Sequence, residues 1–156
     1  SFPGGVARAM EAVDVRLVGD ACLWAATNEC AAGETYNLTN GEVFSGRDMW
    51  PAIAQTLDVP LGEDEPLSVA EYVVHREDLW RGIVARHDLA PNTLEQIVGE
   101  SHHYADLCFA LGANDAPPPI FVSTVKIHQA GFNQTYNSEE SFCYWLQDLR
   151  SRRIIP

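Results

Sequence analysis

Residues 34–57, ETYNLTNGEVFSGRDMWPAIAQTL, constrain the fold of this chain more than any other stretch. Tyr36 and Leu38 alternate with Asn37 and Thr39 and run into Asn40-Gly41, the pattern of a short strand entering a turn. Ser45 then precedes Trp50, Ile53, Ala54 and Leu57, which fall at i, i+3, i+4 and i+7 and so share one face of an amphipathic helix. Asp48 stands three residues after Ser45, where a capping box has Glu or Gln. The stretch predicts a strand, a turn and a capped helix, a unit with no chemistry of its own.

The same signals recur along the chain. Asp14 is placed to cap a helix over 13–27 with Leu17, Ala21, Trp24 and Ala25 on one face, ended by Gly33. The acidic, turn-forming segment 58–66 predicts an exposed loop, and Ser68 with Glu71 forms a capping box for the next helix. Leu79, Trp80, Ile83 and Val84 predict an apolar stripe within 76–87, followed by a short helix at 93–97. A further helix is expected over 101–111, with Tyr104, Leu107, Cys108 and Leu111 on one face.

Three consecutive prolines make 113–119 a stiff loop, and Ile120 to Val122 read as a short strand. Ser123 can cap a helix that stops at Gly131, with Phe132 folding back apolar. Ser138, Glu139 and Glu140 open the last helix, whose buried stripe is Phe142, Trp145, Leu146 and Leu149 and whose end carries Arg150, Arg152 and Arg153. About seven helical segments against two or three short strands predict a mainly helical α/β fold. Strands separated by so many helices would pair parallel, as edge strands of a sheet whose main body lies elsewhere.

At 156 residues and 46% hydrophobic composition the chain fits a single domain with a packed core. A formal charge of −12 repels phosphate backbones and anionic lipid, which argues against nucleic acid as a partner. No apolar run approaches the ~20 residues of a membrane span, and a cytoplasmic location is expected. Cys22, Cys30, Cys108 and Cys143 lack close-spaced pairing and read as reduced core residues. Asn37-Leu38-Thr39 and Asn133-Gln134-Thr135 match the glycan acceptor pattern, read here as chance.

Chemistry is sparse. No G-x-G-x-x-G, G-x-x-x-x-G-K or G-x-S-x-G segment occurs. His102 and Asp106 share a helical face at i, i+4, but with His103 on another side and His128 far along the chain they fall short of a closed metal site. Lys126 is the only lysine, and no Tyr has Lys four residues on.

The strongest pointer is a resemblance. Residues 13–20, VDVRLVGD, with Trp24-Ala25-Ala26 after them, are similar to a helix-opening segment in the second half of extended short-chain dehydrogenases. Tyr36-Asn37-Leu38-Thr39-Asn40-Gly41-Glu42-Val43-Phe44 with Trp50 resembles the F-N-x-T-N-G-D-V-F…W stretch of the progesterone 5β-reductase and iridoid synthase branch of that family. Phe2-Pro3-Gly4, Gly131-Phe132, Ser141-Phe142 with Trp145, and Arg153-Ile154-Ile155-Pro156 follow in family order. The family's W-x-F-x-D helix is matched only in part by His103-Tyr104-Ala105-Asp106, with His102 in place of the Trp.

The resemblance implies that 1–156 form the C-terminal substrate-binding lobe of an extended Rossmann-fold reductase, without its dinucleotide-binding half. Such a parent would use NADP(H) to reduce an enone-type C=C bond, with the glycine-rich loop and the catalytic Tyr and Lys upstream. This chain alone would carry no catalytic, cofactor-binding or metal residue, and Tyr104, Cys108 and Leu111 would wall the substrate pocket. Its partner would be a small apolar carbonyl compound.

A sugar-nucleotide epimerase or dehydratase is the enzyme alternative, weakened because Arg47, Arg76, Arg81 and Arg86 are scattered. A non-catalytic binding module derived from a reductase is the other class. Faces carrying Trp24, Tyr36 and Trp50 would in part have packed on the nucleotide-binding half, so self-association is expected.

Overall fold

The computed structural model describes residues 1–156. Eight α-helices follow in order: α1 (Val15–Thr27), α2 (Gly46–Thr56), α3 (Val69–Val73), α4 (Glu77–His87), α5 (Leu94–Val98), α6 (His102–Cys108), α7 (Val125–Gln129) and α8 (Ser138–Ser151). The chain divides into two compact units, one of residues 1–8, 45–117 and 142–156, the other of residues 9–44 and 118–141.

The second unit is organised on α1. The Asp14 carboxylate accepts the N–H of Arg16 at 2.8 Å and so caps the helix. Leu17, fully buried, packs with Ile127 and Phe132, and Ala21, Trp24, Tyr36, Leu38 and Tyr136 close around them. Phe132 reaches this cluster because Gly131, at φ +106°, reverses the chain after α7, as its position predicts. The Trp24 ring lies 5.7 Å from Tyr36 and 5.5 Å from Phe132.

A buried polar network runs beside that core. Asn40, 1% exposed, uses every group it has. Its Oδ1 accepts from the Asp14 N–H at 2.7 Å, and its Nδ2 donates to Ser138 Oγ at 3.1 Å. Its backbone N–H donates to Ala12 O, and its carbonyl accepts from the Tyr136 N–H. The Ser141 hydroxyl donates to Asp14, and the Ser138 N–H donates to the Glu42 carboxylate. Asn40 is therefore a tie between segments as well as the first residue of a turn with Gly41, whose φ is +101°.

The expected strands do not form. Only an isolated antiparallel bridge, Met10 with Phe44, is present. Residues 35–39 and 120–122 are extended but unladdered, because alternation marks the apolar face of a strand and cannot supply its partner. Side chains serve their backbone groups instead: Glu11 accepts the Val122 N–H at 2.9 Å and Asn37 Nδ2 donates to Ser123 O at 3.2 Å.

In the first unit Phe2, Trp50 and Phe109 pack edge to face, with centroids 5.4–5.8 Å apart. Arg47 covers Phe2 and donates to Gly5 O at 2.7 Å. Gly4 admits no side chain, since a Cβ there would lie 2.3 Å from Phe109 O. The capping box of α2 forms as its sequence predicts, Ser45 Oγ taking the Asp48 N–H while Asp48 reaches back to the Ser45 N–H. The Arg150 guanidinium of α8 donates to Thr56 O at the end of α2, at 2.7 Å. Loop 58–66 is exposed as expected, its Asp64 paired with Arg47.

Two burial expectations are corrected. No residue of α4 is fully buried and Leu79 is 53% exposed, so the stripe of that helix is covered only in part. Cys22 and Cys30 are exposed and Cys108 and Cys143 half-buried, all as free thiols. No helix is long and apolar enough to cross a membrane.

Candidate functional site

Helix α6 carries two of the three residues expected to bind substrate, Tyr104 and Cys108, and its orientation is set by Asp106. The Asp106 carboxylate accepts from the Ser68 hydroxyl at 2.6 Å and from the backbone N–H groups of Val69 at 2.7 Å and Ala70 at 3.4 Å. It thereby joins the Ser68 hydroxyl, which accepts the Glu71 N–H, in satisfying the open amides of α3. Burial pushes the Asp106 carboxyl up, but the Ser68 hydrogen bond and those from Ala70 and Val69 outweigh it, and the group titrates below its ordinary value.

The side of α6 opposite Asp106 is open. Tyr104 and Cys108, at i and i+4, share it, Tyr104 being 65% exposed and Cys108 half-buried. Leu111 lies beyond the helix, which ends at Cys108 rather than at 111 as the periodicity predicts. The chain leaves early because Ala110 takes φ +53° and is buried while the Phe109 ring enters the Phe2–Trp50 cluster. The Tyr104–Cys108 face offers apolar area, one phenol hydroxyl and one thiol, the makings of a pocket wall and not of a catalytic centre.

A second concavity lies elsewhere on α6 and was not legible as a site in the sequence. The end of α3, the start of α4, helix α5 and the start of α6 line an open cleft of about 720 Å³. Val73, Val74, Leu94 and Val98 supply its apolar wall, and Glu77, Glu95 and Glu100 its acidic groups. His102 and His103 complete it, their rings 4.0 Å apart. His103 Nε2 pairs with Glu100 at 3.0 Å and His102 Nδ1 lies 3.0 Å from Gly99 O. Asp106 is spent on α3, and no group of three His, Cys, Asp or Glu is placed to hold a metal ion.

The residues present do not fit a dinucleotide. A pyrophosphate needs a glycine-rich turn between strand and helix or converging cations. This chain has no strand ladder, and the cleft at α3–α6 is rimmed by carboxylates. Lys126 is held by Glu34 at 2.7 Å and Thr35 O at 2.9 Å, beside the Tyr36 ring. That hydrogen bond and the ammonium charge hold Glu34 below its ordinary pKa.

No protein-family model matches the chain. Individual proteins do. An (S)-8-oxocitronellyl enol synthase of Camptotheca acuminata is 29% identical over 150 residues, 94% of this chain and 36% of the relative. The enzyme of that name from Catharanthus roseus is 28% identical over 150 residues, 94% of this chain and 37% of the relative. A 3-oxo-Delta(4,5)-steroid 5-beta-reductase of Arabidopsis thaliana is 24% identical over 150 residues, with 94% and 37% coverage. The chain thus spans little more than a third of the length of these relatives. It is a mainly helical chain similar to these reductases, and any Rossmann character is inferred from them and not from a sheet of its own. The resemblance is to proteins of the iridoid synthase and progesterone 5β-reductase branch, at 24–29% identity.

The Asp106 contact has a pH consequence. A depressed carboxyl adds stability that is complete above the ordinary unfolded Asp value of about 3.9 and is lost as pH falls through its lower folded value. Amide exchange of Val69 and Ala70, corrected for intrinsic rate, should lose protection on that fall, and Asp106→Asn should remove the step.

Proposed function

We propose that this chain is the substrate-binding portion of an NAD(P)H-dependent short-chain reductase that reduces an enone-type C=C bond. The observation that carries this reading is the match across 94% of the chain to relatives named as an enol synthase and as a 5β-reductase. The open Tyr104–Cys108 face of α6, with Leu111 following, supports it as an apolar wall. On this reading the nicotinamide supplies the hydride and is held by the rest of a longer protein. The residues here exclude water and fix the carbon skeleton of a small apolar carbonyl compound. Alone, the chain would not turn over.

Its surface supports a further expectation. Trp24, Tyr36 and Trp50 are engaged in clusters within their own units, whereas Val15 and Leu23 of α1 and Ile120, at 82%, are exposed. Apolar area of this kind favours self-association, which sedimentation over a concentration range reads directly. Exposed thiols at Cys22 and Cys30 suit a reducing, cytoplasmic location.

The test of function is turnover. A longer reading frame that contains this chain should oxidise NADPH with a 3-oxo-Δ4,5-steroid or an enal and leave UDP-sugars untouched. Turnover of a UDP-sugar without enone reduction would overturn the reading.

A further inference from the structure

The cavity among α3, α4, α5 and α6 has a composition that a pocket for a neutral carbonyl compound does not need. Its volume of about 720 Å³ suits a small organic molecule, within the ~300–1,000 Å³ usual for ligand sites. Val73, Val74, Leu94 and Val98 offer an apolar wall against which such a molecule loses water. Three carboxylates, Glu77, Glu95 and Glu100, stand around that wall, and neither Lys nor Arg lines it.

The carboxylates are not equally free. One oxygen of Glu77 accepts the Leu94 N–H at 2.9 Å, which fixes the side chain and leaves its charge uncompensated by any cation. Glu100 is paired with His103, and that pair is charged only when the imidazole is protonated. The Glu95 carboxylate makes neither a hydrogen bond nor an ion pair, its carbonyl alone accepting the Gly99 N–H at 2.8 Å. A concave apolar wall lowers the local dielectric and concentrates the field of charges at its edge. An anion is repelled there, a neutral molecule gains only apolar contact, and a cation with an apolar body gains both.

We propose that this cavity binds an organic monocation, an apolar body bearing a protonated amine, with the body on Val73, Val74, Leu94 and Val98 and the ammonium directed to Glu95 and Glu77. The site is separate from the Tyr104–Cys108 face, since none of Tyr104, Cys108 and Leu111 lines the cavity. It does not depend on the reductase reading. The cleft and its apolar wall make the site, and the carboxylates decide the sign of what enters.

Three probes of one shape separate these contributions: 3-phenylpropylamine, 3-phenylpropan-1-ol and 3-phenylpropanoate, titrated into the isotope-labelled chain by NMR. The amine should shift the amides of Val74, Val98 and His103 and bind about tenfold more tightly than the alcohol, with the acid weakest. Raising salt from about 0.05 M to about 0.5 M should weaken the amine several-fold and leave the alcohol unchanged. Glu95→Gln should cut the preference for amine over alcohol about fivefold without altering alcohol affinity. If that variant does not fold, the salt series on the unaltered chain decides by itself. Equal affinity for amine and alcohol, shifts confined to residues outside the cavity, or no amine binding at about 10 mM would each overturn the proposal.

Discussion

Asp14→Ala should lower the stability of the folded chain by about 3 kcal/mol, read as a fall in the urea midpoint. The carboxylate is fully buried and accepts from the Arg16 backbone N–H, from Arg16 Nε and Nη2 at 2.9 and 2.7 Å, and from the Ser141 hydroxyl. Removing it takes away the N-cap of α1, a loss of about 1 kcal/mol, and leaves a buried hydroxyl without its acceptor at a further 1–3 kcal/mol or so. The Arg16 guanidinium is about a third exposed and can turn to water, so its share is small. Asp14→Asn keeps an oxygen for the cap and should cost about half as much. Arg16→Ala should cost more than an exposed arginine normally does, since it strips a paired cation from a buried carboxylate. A loss under about 0.5 kcal/mol for Asp14→Ala would mean that the network is ornamental.

Leu17→Ala should be as damaging, at about 3–4 kcal/mol. Leu17 is fully buried and meets Ile127 and Phe132, with Trp24, Tyr36 and Tyr136 packed around them. Aromatic rings in staggered edge contact collapse poorly into the space a lost isobutyl group leaves, which puts the cost toward the upper half of the usual range. Leu17→Met preserves volume and should cost less than about 1.5 kcal/mol. Thermal unfolding followed by near-ultraviolet circular dichroism of Trp24 and its neighbours checks both. Equal effects of the two substitutions would contradict this account, since Met keeps the buried apolar area and volume that Ala loses.

The helices were legible because their signals are local. Asp14, Ser45 and Ser68 cap as their spacing predicts, since a side-chain oxygen two or three residues from an open amide needs no help from the rest of the chain, though Glu71 does not close the box at Ser68 and the α7 cap position falls to Thr124 instead of Ser123. What the sequence could not carry was pairing at long range. Tyr36 and Leu38 alternate like a strand but have no neighbour to ladder with, and both turn into the helical core instead. Asn40-Gly41 read as a turn, while the role of Asn40 as a buried tie depends on Asp14 and Ser138, far along the chain.

The candidate site divides in the same way. The periodicity that put Tyr104 and Cys108 on one face of α6 held, and it failed at Leu111 because Phe109 is drawn to Phe2 more than one hundred positions earlier in the chain. Asp106 was weighed as a metal ligand, yet its oxygens are taken by Ser68, Val69 and Ala70. Nothing local in S-H-H-Y-A-D announces that contact. The acidic cavity was equally hidden, because Val74, Glu77 and Glu95 come together only when four short helices pack.

The most direct test of the central claim, that this chain contributes substrate contacts and not the dinucleotide site of a reductase, is an NMR titration of the isotope-labelled chain with a 3-oxo-Δ4,5-steroid and, separately, with NADPH. The steroid should shift the amides of residues 104–111 and NADPH should leave the spectrum unchanged. Saturable shifts with NADPH, or a steroid that leaves residues 104–111 untouched while perturbing others, would contradict the assignment of α6 and of the chain as a whole.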